Sequence, residues 1–141
     1  MAAYYPCKHF KIEELVSKKV FKKLGNKAWR MFRPELLITI DYLRDKLGSP
    51  ITINSWKTGG TAQYRGFREK NCAVGSELSM HRCGMAVDLF VLNMPSEEVR
   101  QYIFKYQEQF PHITRIERAT PHVHLECGNA SRSSGIALFN P

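Results

Sequence analysis

Residues 84–92, Gly-Met-Ala-Val-Asp-Leu-Phe-Val-Leu, constrain the fold more than any other stretch of the chain. From Met85 to Leu92 every position except Asp88 is apolar, which is the pattern of a buried strand. Period-two alternation sets Ala86, Asp88 and Phe90 on one face and Met85, Val87, Leu89 and Val91 on the other. A carboxylate in the middle of such a strand is costly unless it is paired or bound to a cation. Whatever the fold, something must satisfy Asp88.

The rest of the chain surrounds this strand with an α+β order of elements. Phe10, Leu15, Val20, Phe21 and Leu24 lie among lysines and predict one or two short helices. Pro34 then opens a stronger helix, with Leu36, Leu37, Ile40, Leu43 and Leu47 on one face and Gly48 as its stop. Ile51–Asn54 reads as a short strand. Trp56–Leu78 is irregular and rich in glycine (Gly59, Gly60, Gly66, Gly75), and irregular loops of that length are usually functional. A helix follows Pro95, with Ser96 as N-cap, Glu97 and Glu98 in its first turn, and Val99, Tyr102, Ile103, Tyr106 and Phe110 on one face. Thr114–Arg118, His122–Cys127 and Gly135–Phe139 read as further strands. Helices first, then short strands with one helix, predict a small antiparallel sheet packed against N-terminal helices.

At 141 residues, 43% apolar and 24% charged, the chain is expected to form one domain over residues 1–141, and composition excludes wholesale disorder and fibrous rods. Its apolar runs fall far short of the ~20 residues a spanning helix needs. The N-terminus lacks a basic head followed by an apolar stretch, so synthesis in the cytoplasm without an export signal is expected. The four cysteines (Cys7, Cys72, Cys83, Cys127) have no CxxC spacing and are expected to be mostly reduced, with Cys83 and Cys127 as packing residues. The net charge of +8 favours an anionic partner: nucleic acid, an acidic membrane surface or an anionic cell-wall polymer. It is densest at Lys18, Lys19, Lys22, Lys23, Lys27, Arg30 and Arg33, which can equally be a solvated helix face. No helix-turn-helix, zinc-finger spacing or stacking-aromatic motif supports nucleic acid.

Five histidines are present, and those at 81, 122 and 124 sit in informative segments. In His122-Val123-His124-Leu125-Glu126 both imidazoles share one strand face, while Val123 and Leu125 face the core. Two imidazoles and one carboxylate are the ligand set of a catalytic zinc, which keeps a fourth position for water. The net +1 of such a site lowers the pKa of a bound water to about 7. Either motif alone is more often structural or incidental than metal-binding, and only the two together bring a metal level with that reading. His9 and His112 have no partner pattern, and Asp41 and Asp45 read as solvated beside Arg44 and Lys46.

Ser79-x-His81-x-x-Gly84-x-Ala86-x-Asp88 followed by His122-x-His124 resembles the D-Ala-D-Ala carboxypeptidase/L-Ala-D-Glu endopeptidase family of zinc peptidases, which shares its fold with the hedgehog signalling domain. Residues 51–68, with Ile-Asn-x-Trp, Gly-Gly and Gly-Phe-Arg elements, resemble its small phage-encoded branch. The likeness spans roughly residues 32–127. It implies Zn2+ as cofactor, held by His81, Asp88 and His124. It implies that Arg68 anchors a substrate carboxylate or carbonyl, with Arg65 as second choice and Ser79 beside them as substrate-binding. It implies Glu117 as general base, assisted by His122, although an ion pair of Glu117 with Arg115 or Arg118 is an alternative.

Three functions follow as expectations. The first is a zinc peptidase acting on bacterial cell-wall peptides, which would reach the wall through a lysis partner or inside a virion. The second is a non-catalytic structural or binding module of a phage virion that retains the fold and its metal. The third, nucleic-acid binding, rests on charge alone.

Overall fold

The computed structural model describes residues 4–70, 72, 74, 79–128, 132 and 135–141; Gly75 and Leu78 of the glycine-rich stretch lie outside them. The helices are α1 (Lys18–Leu24), α2 (Pro34–Leu47) and α3 (Ser96–Lys105). The strands are β1 (Ile51–Thr52), β2 (Ala86–Val91), β3 (Arg115–Glu117), β4 (Val123–Glu126) and β5 (Ala137–Phe139). They form a five-stranded sheet of order β1-β2-β4-β3-β5, antiparallel except for the β3–β5 pair. The expected α+β class is the observed one.

Alternation along each strand divides the sheet into a core face and a polar face. Val87 and Leu89 of β2, Ile116 of β3, and Val123 and Leu125 of β4 join Leu36, Leu37, Ile40 and Leu43 of α2 and Val99 and Ile103 of α3 in one apolar core. Helix α3 lies against β2 and β4. The thiol of Cys127, just past β4, reaches the Thr39 hydroxyl of α2 at 3.7 Å, so Cys127 is the packing residue expected. Cys83, by contrast, is exposed, because it ends a tight turn on the surface rather than entering the strand.

Helix α2 behaves as its sequence dictates, with Pro34 at its first position and Gly48 closing it in the left-handed conformation at φ 65°. In α3, Pro95 takes the N-cap position, and Ser96 is already helical. The Ser96 hydroxyl instead donates to the Pro121 carbonyl at 2.8 Å, tying the helix to the segment before β4. The helix ends at Lys105; Phe110 reaches the core only after a further single turn at Gln107–Gln109. β1 is shorter than the sequence predicts because Asn54 leaves the strand, its amide donating to Val16 O and its carbonyl oxygen accepting from Arg65 N–H.

Asp41 overturns its expected solvated role. It is buried, and its carboxylate accepts from the Tyr5 hydroxyl (2.8 Å) and from the backbone N–H groups of Lys8 (2.7 Å) and His9 (3.1 Å). His9 is no bystander either, since its ring meets Asp45 at 2.6 Å. Together these contacts latch the N-terminal segment onto α2. Asp41→Ala strands three donors and is expected to cost about 3 kcal/mol, since bonds to charged acceptors contribute more than neutral ones. Urea denaturation measures the loss, and amide exchange at Lys8 and His9 should accelerate in step; a cost near zero would show that the latch contributes nothing.

Candidate metal centre and cleft

His81 is set by two close backbone approaches. It lies in the turn Met80–Cys83, where Ser79 Oγ accepts from the His81 backbone N–H at 3.3 Å. Gly84 closes the turn at φ 67°, and a Cβ there would stand 2.0 Å from the Met31 carbonyl oxygen. Gly66 is equally confined, since its Cβ would meet the Leu15 carbonyl oxygen at 2.0 Å. The Gly66 carbonyl is thereby brought to 2.9 Å from His81 Nδ1, and Arg68 N–H donates to His81 O. A carbonyl can only accept, so Nδ1 carries a proton, and Nε2, which faces Asp88 Oδ1 at 3.4 Å, is the nitrogen left for a metal.

β-Sheet register brings the other two groups together, because Asp88 on β2 is directly opposite His124 on β4. His124 Nδ1 lies 2.7 Å from Asp88 Oδ1, and its Nε2 lies 2.9 Å from Glu126 Oε2. The His81 and His124 rings stand 5.1 Å apart, edge to face. One ligand atom from each of His81, Asp88 and His124 falls within 4.8 Å of the others, and all three residues are buried. The donor set fits a divalent metal. His81 presents Nε2 with its other nitrogen tied to a carbonyl, and His124 presents Nδ1 with its other nitrogen tied to the Glu126 carboxylate, the second contacts that fix ring orientation at metal sites.

The electrostatics are those of a charged cluster held out of water. Burial opposes ionisation of Asp88, but hydrogen bonds from His124 and His81 outweigh it and hold the carboxyl far below the usual range. Burial likewise opposes charge on His124, yet the Asp88 and Glu126 carboxylates raise its pKa to about 9. Burial lowers the pKa of His122, with Asp88 pulling the other way.

A cleft of about 410 Å³ opens over these groups, lined by Arg68, Ser79, Met80, His81, Asp88, Arg115, Glu117, His122, His124, Glu126 and Phe139. His122 Nε2 is 3.5 Å from Asp88 Oδ1 and 4.0 Å from Glu117 Oε1. Arg68 donates from Nε to Tyr64 O (2.7 Å) and from Nη1 to Ser79 Oγ (3.5 Å), and its Nη2 lies 3.5 Å from Asp88 Oδ2. Arg65 stands apart from the cleft: its guanidinium lies over the Phe90 ring and its Nη1 donates to Ile53 O. Glu117 pairs with neither Arg115 nor Arg118 among the described residues; Arg115 turns instead to Glu126 Oε1 at 3.5 Å. Glu126, Arg115 and Phe139 are cleft residues that the sequence reading did not assign. Glu126 carried a usable signal, since it alternates with His124 on an apolar strand just as Asp88 does on its own.

The family model for peptidase M15 matches residues 8–126, which include every group of the cluster. The chain belongs to the peptidase M15 family. M15 enzymes are zinc peptidases and include D-Ala-D-Ala carboxypeptidase, so membership agrees with the resemblance carried by the Ser79–Asp88 and His122–His124 motifs. The M15 match also begins well before residue 32, taking in Lys8 and His9 of the N-terminal latch and α1. Searches of the curated proteins and of the solved structures return no match. No helix of the described residues is long and apolar enough to cross a membrane.

A proton on His124 and a cation beside it compete for the same place. Because the folded pKa of about 9 lies above the ordinary 6.5, the proton's contribution to the stability of the metal-free protein is complete below about pH 6.5 and is lost as pH rises through about 9. Zinc added at pH 7 is expected to release at least about one proton, that of His124, read by calorimetry in buffers of different ionisation enthalpy. Buffer-independent heats at pH 7 would contradict the protonated His124. Glu126→Gln should weaken metal affinity by about 10–100-fold, the usual loss when a ligand histidine loses its carboxylate partner, as measured by competition with a chelating dye.

Proposed function

We propose that this chain is a zinc-dependent peptidase that hydrolyses the stem peptides of bacterial peptidoglycan, as a carboxypeptidase at a D-Ala-D-Ala end or as an endolysin-like endopeptidase within the stem. The observation that carries this reading is the convergence of His81, Asp88 and His124 on the floor of one open cleft, in a chain of the M15 family. Two imidazoles and one carboxylate are the donor set of catalytic rather than structural zinc. Zinc held there supplies a Lewis acid with a residual positive charge, able to acidify water and polarise a carbonyl.

The chain's own residues would do the remaining work. Arg68 lies on the cleft floor beside Asp88, with its fork fixed by Tyr64 O and Ser79 Oγ. In this role it holds the oxygen of the scissile carbonyl, where negative charge grows as the bond is attacked. Glu117 is the carboxylate that takes the proton from the attacking water and returns it to the departing amine. His122, favoured in its neutral form by burial and within reach of both Asp88 and Glu117, steadies that transfer. Arg65, with its guanidinium over Phe90, would act only by supporting the loop that carries Arg68. Delivery to the wall by a lysis partner or carriage in a virion belongs to the same proposal.

The test is hydrolysis of purified peptidoglycan and of synthetic stem peptides by the zinc-loaded protein. Chelation and His81→Ala should each abolish product release. Glu117→Gln should retain zinc and lower kcat by about 10²–10⁴, the typical share of a positioned general base. Near-normal turnover in the glutamine variant would remove Glu117 from the mechanism. Stoichiometric zinc with no cleavage of any wall peptide would overturn the peptidase and leave a non-catalytic binding module.

A further inference from the structure

The cleft contains two guanidinium groups on opposite flanks of the His81–Asp88–His124 cluster, and they are in different states. Arg68, on the β2 flank, has all three nitrogens engaged by Tyr64 O, Ser79 Oγ and Asp88, and its side chain is only 12% exposed. Arg115, on the β3 flank, is 44% exposed and has a single long contact, Nη1 to Glu126 Oε1 at 3.5 Å. Among the described residues it makes no side-chain hydrogen bond.

Its position is nevertheless fixed. Strand β3 pairs with β4 on one side, setting Arg115 opposite Glu126, and with β5 on the other, setting Glu117 beside Phe139. The Arg115 guanidinium carbon rests 3.9 Å above the centre of the Phe139 ring, and the same ring meets the His124 ring edge to face at 5.7 Å. Phe139 therefore acts as a shelf between the metal cluster and the cation. A guanidinium stacked on an aromatic face keeps its N–H edge free and loses little entropy when that edge binds a partner. A planar fork held in this way is matched to a carboxylate.

We propose that Arg115, on its Phe139 shelf, is the specificity residue that binds a free carboxylate on the residue donating the scissile nitrogen. The distance fits. Arg115 is diagonal to His124 across the β3–β4 pair, about 7–8 Å away, and an extended residue of about 3.5 Å together with a charge-assisted bond of about 2.8 Å covers most of that span, so the cation reaches the residue next to the cut bond. Both proposed substrates carry such a carboxylate: the terminal one of a D-Ala-D-Ala end, and the α-carboxylate of D-Glu linked onward through its side chain. The division of labour is then explicit, with Arg68 at the carbonyl oxygen and Arg115 at the leaving residue.

This inference rests on the peptidase reading, and the experiment separates the two. The probes are acyl-D-Ala-D-Ala and L-Ala-γ-D-Glu peptides, each as free acid and as the amide at that carboxylate. Equilibrium binding and kcat and KM are measured for the zinc-loaded full chain, for Arg115→Ala and Arg115→Lys, and for Arg118→Ala as a control just past the same strand. The wild type should prefer one of the free acids about tenfold or more, the range of a charge-assisted hydrogen bond at a half-exposed site. Arg115→Ala should bring the acid-to-amide ratio near one through KM, with zinc content unchanged, while Arg115→Lys keeps part of it and Arg118→Ala all of it. A ratio that survives in Arg115→Ala overturns the assignment, as does a wild type that binds acid and amide equally or binds neither. Equal losses on acid and amide with falling zinc affinity would also overturn it, making Arg115 a support for Glu126. Preferential binding of the acid without hydrolysis keeps Arg115 and sinks the peptidase; hydrolysis without preference does the reverse.

Discussion

The ionised Asp88 carboxylate is the constraint around which the polar half of this protein is arranged. An unpaired charge in a buried strand would cost several kcal/mol, on the order of what a small domain has to spare. It is compensated from three directions: His124 across the strand pair, His81 from the preceding turn and Arg68 from the glycine-rich loop. Each of these groups is held by a contact of its own, to Glu126, Gly66 and Ser79 respectively. The result is a cluster whose outer contacts fix ring orientations and whose inner atoms converge, which is what a metal centre needs from its protein.

The fold delivers these groups from both sides of a narrow sheet. One flank is a loop and turn laced to the N-terminal segment through Gly66 on Leu15 and Gly84 on Met31, so close that a side chain has no room. The other flank is β3 and β5, which carry Arg115, Glu117 and Phe139. Rigid strands supply the central ligand pair by register, and the loop supplies the third ligand and the buried arginine. A substrate lying across the strands would thus meet a different cation on each side of the bond at the centre.

Much of this was legible in the residues. The apolar run around Asp88 required a compensating group, and alternation in His122-Val123-His124 put both imidazoles on the face opposite the core. The α2 boundaries followed from Pro34 and Gly48 for local reasons that tertiary packing leaves alone. What was not legible depended on contacts between distant segments. Asp41 has the spacing of a surface helix residue, and only the N-terminal segment folding over it makes it a buried acceptor. Ser96 has the chemistry of an N-cap, but Pro95 occupies that position and Pro121 takes the hydroxyl. Phe139 lies on a strand whose parallel pairing with β3 has no local signature, so its place beside His124 could not be read from spacing. Alternation offers Arg115 only Glu117 on its own strand face, whereas its partner, Glu126, is on the next strand.

The central claim is that His81 Nε2, His124 Nδ1 and an Asp88 oxygen share one divalent ion. Anomalous diffraction above and below the zinc absorption edge, on crystals grown with zinc, tests it directly. The account predicts one dominant peak about 2.0–2.2 Å from each of those three atoms, with the fourth side open to the cleft. A zinc-loaded crystal whose dominant peak lies elsewhere, or that lacks one of these three ligands, would contradict it.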